Sequence, residues 1–170
     1  GTPVEPSASR PRNPGNSGHD PEEDRRYSVS LVEQDPALGG HTIRDHVGKP
    51  DQYLLDYVKE RTLNFGVIRY GQNAERSFAS TEAANDIVNQ TLKRNRDRVD
   101  EVVSGARYEA GLNERFGFVT GKEAYRLDPD TEPYMRPTYA ARVVIQHDSR
   151  SDNGYRVLTA FPVNQRPERQ

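Results

Sequence analysis

Helical patterns occupy the middle of this 170-residue chain, and strand patterns occupy its last third. The longest helical pattern runs from residue 81 to residue 103, with Ser80 or Thr81 available as the N-cap and Gly105 as the terminating residue. Its apolar side chains recur at three-to-four-residue spacing and are Ala84, Ile87, Val88, Leu92, Val99, Val102 and Val103. This order of elements strongly limits the possible folds, because it separates helices from strands along the chain.

Alternating apolar and polar residues predict strands in the C-terminal third. The predicted strands are 116–120, 124–127, 139–147 and 155–163. The Asn153-Gly154 pair between the last two predicts a hairpin. If its register is symmetric, Thr159 and Phe161 share a face with Val157 and with Ala141, Val143, Ile145 and His147. Segregated helices and an antiparallel sheet predict the α+β class.

Two shorter helical patterns precede the long one. Residues 42–47 favour a single helical turn that Gly48 ends, and Pro50 suits the first turn of a second helix. In that second helix Leu54, Tyr57 and Val58 form one apolar stripe that extends to about Arg61. The second pattern therefore predicts an amphipathic helix on the surface of the domain.

The first 26 residues are rich in proline, glycine, serine and charge, and they offer almost nothing apolar to bury. We therefore expect a flexible leader over 1–35 and one folded domain over 36–170, with the boundary near Pro36. The only methionine is Met135, so we also expect the chain to be carried within a larger protein.

Composition excludes several functional classes. The chain has no cysteine, which excludes disulfides, thiolate catalysis and cysteine zinc sites. No run approaches the roughly 18 apolar residues that a membrane span requires. Residues 1–35 hold 4 basic and 7 acidic side chains, so the rest of the chain, with 20 and 19, is nearly neutral. Any contact with nucleic acid is therefore expected to be local.

Histidine acid–base chemistry remains as the main catalytic possibility. Outside the leader the histidines are His41, His46 and His147, and none stands at the HxxxH or HExxH spacing of a metal site. The sequence also lacks a GxSxG elbow, a Walker loop and a GxGxxG fingerprint. A neutral imidazole beside a cation suits ribonucleolytic transfer to a 2′-hydroxyl. A purely structural histidine beside the helical turn is the alternative.

The long helical pattern also has a basic face formed by Lys93, Arg94, Arg96 and Arg98. This face either binds phosphate or is simply solvated.

Three segments resemble a known bacterial family. Residues 40–49, GHTIRDHVGK, resemble the opening motif of the RNase A-like C-terminal toxin domains of contact-dependent growth inhibition systems, a group of polymorphic toxins. Residues 77–84, SFASTEAA, resemble the segment that leads into the long helix of that family. Residues 157–163, VLTAFPV, resemble its closing strand, so the resemblance covers roughly 39–163 in the family's order.

The resemblance implies a kidney-shaped α+β fold like that of pancreatic ribonuclease but without disulfides. It also implies metal-independent RNA cleavage that leaves a 2′,3′-cyclic phosphate, with no cofactor. The expected partners are an RNA substrate and a cognate immunity protein. Such a domain is implied to lie at the C-terminus of a larger secreted or cell-surface delivery protein and to act in the cytoplasm of a target bacterium.

By matching position, the resemblance implies that His46 is the catalytic base and that Thr159 donates to a phosphate oxygen, with His41 and Lys49 in support. Where it leads us to expect an arginine and a tyrosine, the chain has Tyr57 and Phe161. Loss of a guanidinium and a phenol weakens phosphate binding unless another cation compensates. The candidate substrate-binding residues are Arg44 and Arg61, and these two and Lys49 are the cations that could compensate. The alternatives are a disabled or non-enzymatic module that binds RNA or protein, and a toxin that acts on a nucleotide cofactor.

Overall fold

The computed structural model describes residues 25–35, 37–60 and 74–164. Its helices are α1 (Leu31–Gln34), α2 (Thr42–His46), α3 (Asp51–Glu60), α4 (Thr81–Arg94) and α5 (Arg96–Ser104). Its strands are β1 (Ala74–Ser77), β2 (Glu109–Arg115), β3 (Gly121–Tyr125), β4 (Tyr134–Thr138), β5 (Ala140–His147) and β6 (Tyr155–Val163). The α+β fold predicted from the sequence is confirmed.

The strands form two antiparallel three-stranded sheets, ordered β1-β3-β4 and β2-β5-β6. Only Tyr139 separates β4 from β5, so the chain passes from one sheet directly into the other. No helix among the described residues is long and apolar enough to cross a membrane.

The main core lies between the long helical segment and the β2-β5-β6 sheet. The helices contribute Val88, Leu92 and Val99, and the sheet contributes Leu112 and Ile145, all fully buried. A smaller core beneath α3 joins Leu54 and Val58 to Ala124 of β3. Burying apolar area in this way is the main source of stability, because each fully buried aliphatic side chain contributes roughly 1.5–3 kcal/mol.

Part of the expected leader belongs to the folded domain. Tyr27, Val29 and Leu31 are buried in the main core. Gln34 Oε1 accepts the main-chain N–H of Val157 at 2.7 Å, which ties α1 to β6. The expected boundary near Pro36 is therefore wrong for residues 27–35, because their alternating apolar side chains fill the core. Residues 1–24 lie outside the described part of the chain.

The helices agree closely with the sequence patterns, with one interruption. The predicted turn and second helix are α2 and α3. The long helix is divided at Asn95, whose φ of −121° and ψ of 35° break the helical path, so α4 and α5 are separate elements. In the predicted basic face, Arg94 lies 4.7 Å from the ring centroid of Phe116 and Arg96 lies 5.0 Å from that of Tyr27. These two stack on aromatic rings of the domain itself.

The strand predictions are correct only toward the C-terminus. Strands β5 and β6 match 139–147 and 155–163 to within one residue, and β3 begins three residues before the predicted 124–127. The prediction of a strand at 116–120 is wrong, since β2 ends at Arg115. Strands β1, β2 and β4 were not predicted, because their mixed polar composition lacks an apolar alternation.

The hairpin of β5 and β6 is not symmetric. Ile145 pairs with Val157 and Val144 pairs with Thr159, so Leu158 is an extra residue that forms a β-bulge. The expectation that Thr159 and Phe161 share a face with Val157 is therefore wrong. A bulge re-aims the side chains beyond it. Here it turns Thr159 and Phe161 away from the face that carries Ala160 into the core.

Gly40 lies close to polar atoms of Gln34, Asp35 and Val157, which leads to a prediction about stability. A Cβ at this position would lie 2.7 Å from both Asp35 Oδ1 and the Val157 carbonyl oxygen. We expect Gly40→Ala to lower the free energy of unfolding by about 1–3 kcal/mol, because main-chain atoms must move to admit it. Gly48→Ala is the control, since its φ is +68° but the space around it is open. Gly48→Ala should lower the free energy of unfolding by only about 1 kcal/mol, which is the conformational cost of a positive φ for alanine. Urea unfolding that ranked Gly48→Ala as the more damaging change would contradict this account.

Candidate functional site

The five-residue helix α2 is held between β1 and β6 by main-chain hydrogen bonds. The Phe78 N–H donates to the His46 carbonyl at 2.7 Å, and the Gly48 N–H donates to the Phe78 carbonyl at 2.9 Å. At the other end, the His41 N–H donates to the Leu158 carbonyl of the bulge at 3.0 Å. The motif 40–49 is thereby fixed between two strands from distant parts of the sequence.

His46 has a defined orientation within this arrangement. Its Nδ1 lies 3.1 Å from the main-chain carbonyl oxygen of Arg76. Because a carbonyl only accepts, Nδ1 carries the proton in the neutral ring and Nε2 carries the lone pair. The side chain is 14% exposed, and its Nδ1 is also 3.8 Å from Glu75 Oε1. In the described part of the chain, no hydrogen bond engages Nε2. The ring is therefore held as a base with its accepting nitrogen available.

Burial lowers the pKa of His46 below its ordinary value of 6.5, because a charged imidazolium loses solvation in this position. The Arg76 carbonyl and the Asp45 carboxylate act in the opposite direction and raise the pKa. The charges of His41 and Arg76 lower it further. The Glu75 carboxylate at 3.8 Å also favours the charged form, but burial remains the largest influence. Burial of His46 therefore favours its neutral form.

Thr159 supplies a hydroxyl that is ready to donate. Its Oγ1 is buried, and among the residues that the structure describes it has no hydrogen-bond partner. Two residues along β6, the ring centroid of Phe161 lies 5.3 Å from that of His46. A buried hydroxyl without a partner costs roughly 1–3 kcal/mol, a cost that a bound acceptor would remove. Thr159 and Phe161 thus lie on the same side of β6, and Phe161 is the one shown in contact with the histidine.

A charged cluster beside the histidine was missed by sequence reasoning. The Arg76 guanidinium carbon lies 5.3 Å from the centroid of Phe161, and Arg76 Nε lies 3.1 Å from Glu123 Oε1. Glu123 is 1% exposed, and its Oε2 accepts a 2.6 Å bond from Arg136 Nε. The Asn164 amide donates to the same oxygen at 3.3 Å. The only sign of this cluster in the sequence is that Arg76 and Glu123 are charged. Their partnership becomes visible only when β1 is paired with β3, which places Arg76 opposite Glu123.

His41 and Arg44 both meet Asp45. His41 Nδ1 lies 2.9 Å from Asp45 Oδ2 at an angle unsuited to a hydrogen bond, so the contact is an ion pair when the ring is charged. Arg44 holds both oxygens of Asp45, with Nε at 2.8 Å and Nη2 at 3.1 Å, and its side chain is 74% exposed. The hydrogen bond and charge of Arg44 lower the pKa of Asp45. One edge of the Arg44 guanidinium is therefore already bound to Asp45.

The remaining predicted site residues lie on α3 or just before it. Lys49 Nζ lies 5.2 Å from the ring centroid of Tyr53, and the main-chain N–H of Lys49 donates to Ser77 Oγ at 3.0 Å. The half-buried Tyr57 has its ring 6.1 Å from that of Tyr53. Arg61 lies outside the described residues. The structure thus brings the rings of His46 and Phe161 together, puts Thr159 on the same face of β6 as Phe161, and places Lys49 and Tyr57 on either side of Tyr53.

Together these groups can perform acid–base chemistry on an anionic substrate. His46 can accept a proton, the Thr159 hydroxyl can donate a hydrogen bond, and the Arg76 guanidinium can bind an anion. Within 25–35, 37–60 and 74–164, no group of three or more histidine or carboxylate side chains is arranged to hold a metal ion.

Comparison with known proteins places the chain in a family. The family model described as the bacterial CdiA-CT RNase A domain matches residues 40–162. No curated protein is similar to the chain. Among solved structures, the chain resembles a CdiA-CT/CdiI complex from Y. kristensenii 33638, with a TM-score of 0.57 and 21% identity. That match covers 74% of this chain and 99% of the other, and at this identity it shows a shared fold. Since the family match spans most of the described domain, the chain belongs to the bacterial CdiA-CT RNase A domain family.

Proposed function

We propose that the chain is the RNA-cleaving toxin domain of a contact-dependent growth inhibition system, with His46 as the general base. The observation that carries the proposal is the state of His46. Its Nδ1 is committed to the Arg76 carbonyl, and burial keeps the ring neutral. Its available Nε2 faces no competing partner in the described structure. A positioned neutral histidine is the usual proton acceptor near pH 7.

The proposed reaction is an internal transfer at phosphorus that requires no metal or cofactor. His46 Nε2 takes the proton of an RNA 2′-hydroxyl, and the 2′-oxygen attacks the adjacent phosphorus. The bond from phosphorus to the 5′-oxygen breaks, that oxygen takes a proton from water as it leaves, and His46 then returns its proton to the solvent. A 2′,3′-cyclic phosphate remains on one fragment. The Thr159 hydroxyl donates to a non-bridging oxygen, where negative charge develops in the transition state.

Biological context is proposed from the same relationships. The structural neighbour was solved as a CdiA-CT/CdiI complex, which supports a cognate immunity protein as the partner of this chain. Acidic groups on that protein opposite Arg44, Lys49 and Arg61 would neutralise the site by charge complementarity. The domain would be carried at the C-terminus of a larger delivery protein and would act in the cytoplasm of the target bacterium.

One observation favours a second candidate. Phe161 offers a ring and no hydroxyl beside His46, and Tyr57 replaces an expected arginine. A site without these donors suits a binding module that docks RNA or protein without cleaving it. A toxin that acts on a nucleotide cofactor remains a third candidate, which product analysis separates from the other two.

The test is cleavage of total RNA by the purified chain in the presence of EDTA. We expect fragments that end in 2′,3′-cyclic phosphate, because the 2′-oxygen is the nucleophile. A matched oligonucleotide with a single 2′-deoxy sugar at the cleaved position should remain intact there. RNA that stays intact while the chain still binds it would support the binding module. Consumption of a nucleotide cofactor without RNA cleavage would support the third candidate.

A further inference from the structure

The arginine in the middle of β1 lies beside the same aromatic ring as His46. We propose that Arg76 is the phosphate-binding residue of this site and takes the place of the guanidinium that is missing at Tyr57. The ligand is the phosphodiester group of single-stranded RNA. This inference deepens the proposed function and rests on it.

Arg76 contacts both the base and the strand that carries the hydroxyl. Its main-chain carbonyl holds His46 Nδ1 at 3.1 Å, and its guanidinium carbon lies 5.3 Å from the Phe161 centroid. The His46 ring centroid is also 5.3 Å from that of Phe161. The base and the cation therefore contact the same aromatic ring. Thr159, whose buried Oγ1 lacks a partner among the described residues, lies two positions before this ring on the same face of β6.

The guanidinium is held along one edge only. Its Nε donates to Glu123 Oε1 at 3.1 Å. In the described structure, neither terminal nitrogen of Arg76 makes a hydrogen bond. A guanidinium has five N–H donors in a fixed fork, which matches two oxygens of a phosphate. Glu123 therefore fixes the position of Arg76 and leaves the terminal donors for a ligand.

Glu123 itself is immobilised from the other side. It is 1% exposed, and its Oε2 accepts from Arg136 Nε at 2.6 Å and from the Asn164 amide at 3.3 Å. Arg136 in turn lies over the ring of Tyr125, at 3.7 Å from its centroid. The other nearby carboxylate, Glu75, accepts the main-chain N–H of Arg76 at 3.1 Å. Both carboxylates thus have partners in this cluster, and the cluster holds the guanidinium in a prepared position.

The cations expected from the sequence are less suited to this task. Arg44 is 74% exposed and binds both oxygens of Asp45. Lys49 lies over Tyr53. Among the described residues, no hydrogen bond, ion pair or cation–ring contact joins either of them to His46, Thr159 or Phe161. Arg76 is the cation that touches the same ring as the base.

The experiment compares Arg76→Ala, Arg76→Lys and Arg136→Ala in the full chain. Arg76→Ala and Arg136→Ala each remove one of the two guanidiniums that share Glu123, so their thermal unfolding midpoints should fall by similar amounts. The rates of RNA cleavage by these two alanine variants should differ. We expect Arg76→Ala to lower kcat/KM by about 100-fold or more and Arg136→Ala by at most about tenfold, because Arg136 only helps to position Glu123, which keeps its bonds to Arg76 and Asn164. Arg76→Lys should recover part of the loss, because lysine keeps the charge but not the fork. Equal losses for the two alanine variants, or none for Arg76→Ala, would overturn the assignment.

A binding measurement keeps this inference separate from the proposed cleavage. The probe is a single-stranded 2′-O-methyl RNA oligonucleotide, which cannot form the cyclic phosphate. For each lost phosphate contact, the slope of log affinity against log salt should decrease in magnitude by about 0.7. We expect that decrease for Arg76→Ala and not for Arg136→Ala. If the wild-type chain binds in this way but cleaves no RNA, the proposed function fails and the phosphate site stands. Identical slopes for all variants would reject the phosphate site itself.

Discussion

Replacing Glu123 by alanine is expected to lower the free energy of unfolding by about 3 kcal/mol, the largest loss of stability we foresee. Its carboxylate is buried and accepts bonds from Arg76, Arg136 and Asn164. Removing it leaves two guanidiniums close together without their common counter-ion. Breaking one side of a buried charged network costs more than the network contributes, because the remaining charges stay poorly solvated.

Asp51→Ala is the matched control, because Asp51 pairs with Lys122, the residue next to Glu123. Asp51 Oδ1 lies 2.7 Å from Lys122 Nζ, but the Asp51 side chain is 60% exposed. Exposed ion pairs contribute about 0–1 kcal/mol, so this variant should change stability little. Urea unfolding of both variants under the same conditions measures the difference. A loss below about 1 kcal/mol for Glu123→Ala would show that the cluster does not hold the fold together.

His46→Ala is expected to lower kcat/KM for RNA cleavage by about 10²–10⁴-fold, the usual contribution of a positioned general base. The control is His147→Ala. His147 Nδ1 bonds the Val102 carbonyl at 2.8 Å, just as His46 Nδ1 bonds the Arg76 carbonyl at 3.1 Å. Each variant therefore loses one ring-to-carbonyl hydrogen bond, worth about 1 kcal/mol. Only His46→Ala should lose activity, and equal losses in both would indicate a structural role.

The pH dependence of cleavage provides a second test of His46 as the general base. A base works in its neutral form, so the rate should fall as pH decreases through the pKa of His46. Burial lowers that pKa below 6.5, so the acid-side midpoint of kcat/KM should lie below pH 6.5. The same shift means that the unfolded chain binds the proton more readily, and the folded state loses stability below pH 6.5. Rates measured together with unfolding midpoints separate the two effects. A midpoint above 6.5 would contradict a buried neutral base.

The helices and the last hairpin could be read from local sequence, while the other strands could not. Strong apolar periodicity identified α3 and the α4–α5 segment, and alternation identified β5 and β6. Strand β1 reads Ala-Glu-Arg-Ser and β4 contains Pro137, so neither resembles a strand until its partners are known. Both pair with β3, and that pairing supplies the hydrogen bonds that stabilise them. Strands of this kind depend on long-range contacts, which residue patterns do not report.

The candidate site divides in the same way. His46, Thr159 and Phe161 were identified from their motifs, and in the structure the Phe161 ring contacts His46 while Thr159 lies on the same face of β6. Arg76 and Glu123 were not identified, because nothing local distinguishes them from other charged residues. Their significance comes from the pairing of β1 with β3, which places Arg76 opposite Glu123.

The sequence by itself determined the α+β class, the family and the histidine motif, because these depend on periodicity and on short segments of defined order. Only the tertiary structure decided which side chains face one another. The bulge at Leu158 puts Thr159 on the same face of β6 as Phe161, and the Arg76 guanidinium lies opposite Glu123 and beside the same ring as His46. The physical reason is that register and bulges are set by hydrogen bonds and packing between segments that are from 12 to more than 100 residues apart.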